Sequence, residues 1–186
     1  TETALLKMLA LSKAKTQTFG SSIIDLQLMP VSLSYEYDPC IADKANELFA
    51  ASQGQDYIKR EFEDLDSIQK GFVGYKGRIQ VNFGDPIDVD YANADDLAAE
   101  INRQICCLYR LFPTNIIAWQ MQAERDTDTL KLLKQQWPNE NWSEAQARFK
   151  DHLDSIPNNQ RALAIKIYAT PVDKQLVYQQ TNANNL

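Results

Sequence analysis

Two short segments of this chain alternate apolar and polar residues, whereas the remainder repeats its apolar residues at helical spacing. The first segment spans 22–37, and its alternation changes parity at Pro30. Its apolar residues are Ile24, Leu26, Leu28, Val31, Leu33 and Tyr35. The second segment spans 74–87, with apolar residues Ile79, Val81 and Phe83. A period of two predicts a strand in each segment, with a break or bulge at the proline. The chain is therefore expected to hold a small sheet among helices.

Helical spacing of apolar residues predicts helices before, between and after the two strands. The clearest ranges are 3–15, 39–52, 56–70, 93–112 and 127–136. Three helix starts carry capping residues, which are Asp38 before Pro39, Asn93, and Ser143 with Gln146. A further helix is predicted from Asn158 or Asn159, with the last six residues frayed. These patterns favour an α/β fold class with an all-helical C-terminal extension.

The order of these elements predicts two domains. Residues 1–92 form the α/β part, and residues 93–186 form the helical extension. A chain of 186 residues is long enough for one core with a smaller appendage. The chain begins with Thr1 rather than Met, directly at a predicted helix, and we therefore expect it to be a cropped or processed piece of a longer protein.

Charge and cysteine usage exclude several classes of protein. A formal net charge of −6 disfavours binding to nucleic acid. No apolar run approaches the roughly 20 residues that span a bilayer. The three cysteines have no metal-ligand spacing and include the adjacent pair Cys106 and Cys107, which favours reduced thiols in the cytoplasm. On a helix that pair is expected to serve as small buried apolar residues.

Residue patterns alone predict no catalytic constellation, no metal and no cofactor. The only histidine, His152, lies on a charged amphipathic helix, where a surface or packing role is expected. The acidic stretch 88–96 lacks the spacing of a calcium loop and is better interpreted as charge at a helix N-terminus. The three tryptophans are expected to be core or interface anchors.

Two groups of residues leave alternatives open. Gly71, Gly74 and Gly77 with Lys76 and Arg78 form either a structural connector or a basic lip that contacts an anionic ligand, although glycines before a strand are opposite to a P-loop. In the same way, Tyr35, Glu36 and Asp38 form either the end of a strand with a helix cap or contacts at the rim of a pocket.

The wording of the two strand segments resembles one family. "LMPVSLSYEYDPC" followed by "GFVGYKGRIQVNFGDPI" is similar to the latter part of glycerophospholipid acyltransferases, which include 1-acyl-glycerol-3-phosphate and glycerol-3-phosphate acyltransferases. "INRQI…YRLFPTNIIAW" resembles the helical tail of bacterial members. The resemblance covers about residues 1–120 and implies part of the α/β acyltransferase sheet, with Pro30 and Val31 in the wall of the acyl or acceptor pocket.

The resemblance also shows which catalytic parts are not found here. Family members use a His-x-x-x-x-Asp motif, in which the histidine is the general base and the aspartate orients it, and a Glu-Gly-Arg segment that binds the acceptor phosphate. Neither motif occurs, and the fifth residue after His152 is Pro157. The chain is therefore expected to be the C-terminal, inactive part of an acyltransferase.

The favoured hypothesis implies partners and a binding site. In the full-length protein, the partners are acyl-CoA or acyl carrier protein and a glycerol-phosphate lipid acceptor, with no nucleic acid. The predicted substrate-binding residues are Pro30, Val31, Tyr35, Lys76 and Arg78. The predicted location is the cytoplasm, with the inner membrane as a candidate surface for peripheral contact.

The alternative hypothesis is a non-catalytic helical domain that binds a protein partner or a membrane surface through exposed tryptophan and isoleucine. Its candidate segment is 108–121, which collects Leu111, Phe112, Ile116, Ile117 and Trp119 around a proline. The same residues could instead pack in the core, and periodicity does not decide between the two.

Overall fold

The structure, a computed structural model, describes residues 1–54 and 57–183. This part of the chain is mostly helical and contains one two-stranded antiparallel sheet. In chain order, the elements are α1 Thr3–Leu9, a 3-10 turn Ala10–Ser12, α2 Phe19–Asp25, β1 Val31–Tyr35, α3 Ile41–Ser52, α4 Glu63–Val73, β2 Ile79–Phe83, α5 Ala94–Leu108, α6 Pro113–Gln120, α7 Thr127–Gln135, α8 Trp142–Asp154 and α9 Asn158–Ala183. The predicted mixture of helices with a small sheet is confirmed at this coarse level.

The first half of the predicted strand 22–37 is wrong, because α2 occupies it. The Thr18 side chain accepts a hydrogen bond from the Ser21 backbone N–H and caps this helix. Gly20 lets the helix approach the backbone of Tyr91, where a Cβ would lie only 2.5 Å from the Tyr91 nitrogen. Six residues of alternation are too few to separate a strand from one and a half turns of helix, and the capping threonine was the better indicator.

Other helices agree with the sequence in type and differ at their ends. Asn93 caps α5 as predicted, accepting from the N–H groups of Asp95 and Asp96. The predicted cap at Ser143 is wrong, because Asn141 accepts from the Glu144 N–H and caps α8 two residues earlier. The predicted helix 56–70 begins at a residue outside the described part, residues 57–62 are not helical, and α4 begins only at Glu63 and continues to Val73. The last three residues of the predicted frayed end also lie outside the described part.

The chain divides into two compact units built from interleaved segments. Unit 1 contains residues 1–34 and 80–110 with the C-terminal end of α9, and unit 2 contains residues 35–79 and 111–176. The predicted domain boundary between residues 92 and 93 stays a prediction.

Unit 1 has its core between α1, α2 and α5. Its buried side chains are Leu6, Ala10, Ile23, Ile87, Ala94, Leu97, Ala98 and Ile101. Helix α5 is amphipathic, and the side that carries Leu97 and Ile101 faces this core. Helix α1 uses Leu6 and Ala10 for the contact, and Leu5 and Met8 stay exposed. The broad apolar face expected for α1 is therefore only partly buried.

Unit 2 has its core around α6. Leu111, Phe112, Ile116, Ile117 and Trp119 are all 3% exposed or less. These five residues of segment 108–121 therefore lie in the core, and the membrane-facing interpretation of them is wrong. In the described residues, no helix combines the length and the hydropathy needed to cross a membrane.

Candidate functional site

Residues 28–34 and 80–87, which belong to the two segments quoted above, lie side by side in unit 1. The Gly84 N–H donates to the Pro30 carbonyl over 2.8 Å, and the Ile87 N–H donates to the Leu28 carbonyl over 2.8 Å. These bonds continue the antiparallel pairing of β1 and β2 into the flanking segments. The structure thus brings "LMPV" and "FGDPI" into contact, although they are far apart in the sequence.

Gly84 is closely surrounded at this contact. A Cβ at this position would lie 2.3 Å from the Gln104 side-chain oxygen and 3.2 Å from the Pro30 carbonyl oxygen. The same Gln104 oxygen accepts the Asp85 N–H over 3.0 Å. Gln104 is buried and therefore fixes the turn after β2 from α5.

The sheet is oriented opposite to the usual arrangement of an amphipathic strand. Ser32 and Ser34 are fully buried, whereas Val31 and Leu33 are 45% and 46% exposed. On β2, the apolar side chains are exposed too. We define the outer sheet face by its four exposed apolar residues in unit 1: Val31, Leu33, Val81 and Phe83. A contiguous apolar face of this kind marks a surface that binds a ligand or a further layer of protein.

The inner side of the sheet is polar and mostly hydrogen-bonded. The Ser34 hydroxyl accepts the Arg110 backbone N–H over 2.9 Å, and the Asn82 side-chain amide donates to the Leu108 carbonyl over 2.6 Å. The Ser32 hydroxyl is buried and has no partner among the described residues. Two specific bonds to the end of α5 therefore hold the serine side of β1 and the asparagine side of β2 inward.

Of the predicted substrate-binding residues, Pro30 and Val31 fall at the start of β1. Pro30 is buried and its carbonyl accepts the Gly84 N–H. Since proline has no N–H to offer, it suits a position where the ladder needs only an acceptor. Val31 begins the outer sheet face. Of these two residues, only Val31 presents apolar surface, since Pro30 is buried.

Tyr35 lines a different feature, a cavity of about 310 Å³ within unit 2. The cavity is lined by Tyr35, Asp38, Pro39, Cys40, Asp43, Lys44, Glu47, Lys59, Glu63, Asp64, Ser67 and Gly71. Its charges are paired with one another, for example Lys59 with Asp64 at 2.8 Å and Lys44 with Asp38. Burial raises the pKa of the Cys40 thiol, which therefore stays protonated at neutral pH and is a poor nucleophile.

Lys76 is hydrogen-bonded within its own loop. Its ammonium donates to the carbonyls of Phe72 and Gly74, over 3.1 and 2.9 Å. Gly77 adopts a φ of +61°, and a Cβ there would lie 2.7 Å from a Glu36 oxygen. The three-glycine segment thus has the geometry of a connector that turns tightly into β2.

Arg78 lies in the centre of an ion-pair cluster in unit 2. Its guanidinium donates to Glu36 through two nitrogens, over 2.9 and 2.6 Å, and to Glu140 over 2.9 Å. It also lies over the Trp137 ring, 4.4 Å from the ring centroid. Glu36 raises the pKa of Arg78 above its ordinary value. Two nearly buried carboxylates already use the charge that an anionic ligand would need.

His152 belongs to an aromatic cluster in unit 2. Its Nε2 lies 3.0 Å from the Tyr168 hydroxyl, which accepts the Asp38 backbone N–H over 2.8 Å. Tyr37 and Phe149 pack against the imidazole. Burial lowers the pKa of His152, with the Asp38 carboxylate acting in the opposite direction. The geometry is that of a packing histidine, as predicted.

The remaining candidates are also placed. Asp95 and Asp96 lie in the first turn of α5, as the dipole interpretation predicted. All three cysteines are free, but Cys107 is exposed, so the expectation of a buried pair is wrong. Within residues 1–54 and 57–183, no cluster of histidine, cysteine and carboxylate side chains could hold a metal ion.

Sequence reasoning missed Gln104 and the Glu36–Arg78–Glu140 cluster. The sequence did contain one indication that Glu36 faces inward. It lies two residues after Ser34 and four after Ser32, on the same side of the strand. No local signal indicates Glu140, since it lies 62 positions from Arg78.

No protein-family model, curated protein or solved structure matches this chain. Its function must therefore be inferred from the residues and their geometry.

Proposed function

We propose that this chain is the C-terminal part of a glycerolipid acyltransferase, which transfers an acyl group from acyl-CoA or acyl carrier protein to a hydroxyl of a glycerol-phosphate acceptor. In this proposal the chain supplies two strands and part of the pocket wall, and the catalytic histidine and aspartate lie in another part of the protein. By itself the chain is inactive.

One observation carries the proposal. The two segments with family-like wording pair directly, through the Gly84 N–H and the Pro30 carbonyl. A chance likeness of two distant segments would not require that they meet. A Cβ at Gly84 would lie 2.3 Å from the Gln104 side-chain oxygen, so a larger residue would displace the side chain that holds the turn of "FGDPI".

The outer sheet face supports the same proposal. Its four apolar side chains are each at least 45% exposed, and a covered sheet buries such residues. In the whole enzyme this face would be covered by the catalytic part or by the acyl chain. Lys76 is hydrogen-bonded to the carbonyls of its own loop, and Arg78 is paired with two carboxylates. This supports binding of the acceptor phosphate by other residues, so we place only Pro30 and Val31 near substrate.

The proposed compartment is the cytoplasm, with peripheral contact at the inner membrane where the lipid substrates are found. A non-catalytic interaction domain is the second candidate function. The five residues named above from its original segment, 108–121, are buried, but the exposed apolar side of α4 favours interaction with another protein surface.

The test has two arms. In the first, the purified chain is incubated with acyl-CoA and either glycerol-3-phosphate or 1-acyl-glycerol-3-phosphate. We expect no turnover, because loss of a general base alone lowers a rate by about 10²–10⁴-fold. In the second arm, the protein encoded by the reading frame that includes the codons before Thr1 is assayed in the same way. We expect it to contain the His-x-x-x-x-Asp and Glu-Gly-Arg motifs and to transfer acyl groups.

A pair of matched variants tests the outer sheet face in that longer protein. Leu33→Asp is expected to reduce transfer strongly, whereas Leu132→Asp, on the exposed side of α7, should leave it unchanged. Enzyme-like turnover by the chain alone, or a longer reading frame without the two motifs, would overturn the proposal.

A further inference from the structure

One hydrogen-bonded pair in unit 2 joins three separate elements. His152 lies near the end of α8, and Tyr168 lies on α9. The imidazole Nε2 is 3.0 Å from the Tyr168 hydroxyl, whose oxygen accepts the backbone N–H of Asp38 over 2.8 Å. Asp38 follows the end of β1 by three residues. The Tyr168 hydroxyl therefore connects a histidine on one helix to the loop between β1 and α3.

The bond from Asp38 determines the direction of the bond between Tyr168 and His152. A phenolic hydroxyl offers one proton and an acceptor oxygen, and the oxygen of Tyr168 already accepts from Asp38. Its proton is therefore directed to Nε2, which acts as the acceptor. A neutral imidazole accepts at Nε2 only when its own hydrogen is on Nδ1. This arrangement requires a neutral His152 with its hydrogen on Nδ1.

Protonation of His152 is incompatible with this arrangement, because a protonated imidazole donates from both of its nitrogens. The Tyr168 oxygen would then face two donors, Nε2–H and the Asp38 N–H. The hydroxyl proton would also have to leave the line between the two side chains. One donor would lose its acceptor, and a donor left unsatisfied in a buried place is costly. The bond that holds the Asp38 N–H therefore depends on the protonation state of His152.

Aromatic rings enclose the imidazole and favour its neutral form. The ring centroids of Tyr37, Phe149 and Tyr168 lie 5.0, 6.5 and 6.0 Å from that of the imidazole. Burial among these rings lowers the pKa of His152. The imidazole is therefore neutral at pH 7 and takes up a proton in acid.

Three charged groups lie beside this ring cluster. The Asp38 carboxylate raises the pKa of His152, against the larger effect of burial. That carboxylate pairs with the Lys44 ammonium. Arg148 interacts with the Tyr37 side chain and adds a second cation. The Asp38 carboxylate is therefore shared with Lys44 and compensates a charged imidazole only in part.

Segment 38–40 forms part of the wall of the cavity in unit 2, and all three of its residues line that cavity. On one side of the segment, the Tyr37 N–H donates to the Lys76 carbonyl over 3.0 Å. On the other side, α3 begins at the buried Ile41. Between these two anchored positions, the bond from the Asp38 N–H to Tyr168 holds the segment against α9.

We propose that the His152–Tyr168 pair is a pH-sensitive latch, which holds segment 38–40 and this wall of the cavity in place while the imidazole is neutral. In acid, Nε2 takes up a proton from solvent, since Nδ1 already carries one. The Asp38 N–H then loses its acceptor, and the segment separates from α9. The latch does not depend on acyl transfer, so its failure would leave the proposed function untouched.

Nitrogen-15 NMR of the full chain tests the direction of the bond, because His152 is the only histidine and gives a single pair of imidazole nitrogens. At about pH 8 we expect the chemical shifts of the neutral Nδ1–H tautomer, since the hydrogen bond at one ring nitrogen determines which nitrogen carries the proton. The Nε2–H tautomer would overturn the direction of the bond and the latch with it.

Hydrogen exchange of the Asp38 amide measures release of the segment. At about pH 5, an imidazole freed from the latch, with the ordinary pKa of about 6.5, is protonated about 30 times more often than neutral. Opening is therefore favoured by up to about 30-fold. We expect the exchange rate of the wild type, divided by that of His152→Gln at the same pH, to rise several-fold from about pH 8 to about pH 5. Comparison at one pH removes the effect of pH on the exchange chemistry itself.

Two tyrosine variants show whether the Tyr168 hydroxyl is responsible. Tyr168→Phe keeps the ring and removes the hydroxyl, so its Asp38 amide should exchange fast at both pH values. Tyr75→Phe is the matched control, because Tyr75 packs on Tyr37 in the same cluster and is 75% exposed. This control should show the pH dependence of the wild type, and circular dichroism checks that each variant is folded.

Three results would overturn the latch. The first is a ratio of wild type to His152→Gln that stays the same between the two pH values. The second is a folded Tyr168→Phe variant whose Asp38 amide is as protected as that of Tyr75→Phe. The third is an Asp38 amide that exchanges no faster than that of Ile117 in the core of α6, since the segment would then open only when the whole protein unfolds.

Discussion

Arg78 carries a charge that could bind an anionic ligand, but its surroundings give it a structural role. Its guanidinium bridges Glu36 and Glu140, whose side chains are only 8% and 10% exposed. Removing the arginine would leave two carboxylates in a place where water compensates them poorly. The residue therefore contributes to stability mainly by making the burial of its partners tolerable.

We expect Arg78→Leu to lower the free energy of unfolding by about 2 kcal/mol, below the roughly 3–5 kcal/mol of a fully buried pair, because the arginine side chain is 40% exposed. Urea unfolding measures the loss. Lys131→Ala is the control, since its pair with Asp128 is 73% and 81% exposed and should contribute under about 0.5 kcal/mol. Equal stability of Arg78→Leu and wild type would return Arg78 to the list of candidate ligand-binding residues.

His152 predicts a pH dependence. Its pKa is lowered in the folded state by burial, so the unfolded chain binds a proton more readily. The contribution of neutral His152 to the free energy of unfolding is fully present above about pH 6.5, the pKa of an unperturbed histidine. It is lost as the pH falls from there through the lower pKa of the folded state. Because His152 is the only histidine, a single substitution removes this dependence.

The measurement is the free energy of unfolding at several pH values below about 6.5. In the wild type it should fall with decreasing pH, by up to about 1.4 kcal/mol per pH unit more than in His152→Gln. Parallel curves for the two proteins would show that the imidazole titrates alike in the folded and unfolded states. They would also argue against its burial among Tyr37, Phe149 and Tyr168.

At the scale of elements, β1 and α4 share one property, since each turns its polar side inward. On α4, Glu63 is buried and Phe72 is exposed. For β1 the cause lies in a few hydrogen bonds to the end of α5, in particular the one from Arg110 to Ser34. The neighbouring Ser32 is equally buried but its hydroxyl has no partner within the described residues. Ser32 and Ser34 can therefore be compared as two buried serines of one strand, of which only Ser34 has a hydrogen-bond partner.

Ser34→Ala and Ser32→Ala remove the same atom from the same side of β1, and we expect different outcomes. Ser34→Ala should cost about 1–2 kcal/mol, because it leaves the Arg110 N–H unsatisfied. Ser32→Ala should be neutral or stabilising by up to about 1 kcal/mol, since it removes a buried hydroxyl without a partner. Urea unfolding of both variants decides the matter. Equal losses would mean that the strand is held by packing of its serine side and not by this bond.

At the scale of the whole molecule, apolar surface is distributed unevenly between core and exterior. The chain is 44% hydrophobic. Large apolar side chains on α1, α4, β1 and β2 are exposed. A net charge of −6 opposes non-specific association of these surfaces. Specific partners are therefore the expected way of covering them, as proposed above for the outer sheet face.

Local interactions explain what could be predicted from the sequence. Caps such as Asn93 act within a few residues of the helix they start, and periodicity is a property of a short segment. Hence the types of α5, α7 and β2 were predicted correctly, and the ends of α7 were predicted to within one residue. Helix α5 ends four residues before the predicted end, and β2 covers only the middle of segment 74–87. The two motif-bearing strand segments were also found, and with them Pro30 and Val31.

Tertiary contacts decided the rest, because periodicity shows that an element has two different sides but not which side faces inward. The inward side of β1 depends on Arg110, 76 positions away from Ser34. The role of Arg78 depends on Glu36 and Glu140, 42 and 62 positions away. The sequence by itself determined β1, β2 and most of the helices, but not α2, which was predicted as a strand. Only the folded chain decided which residues are left exposed for a partner, since burial is a property of contacts between distant segments.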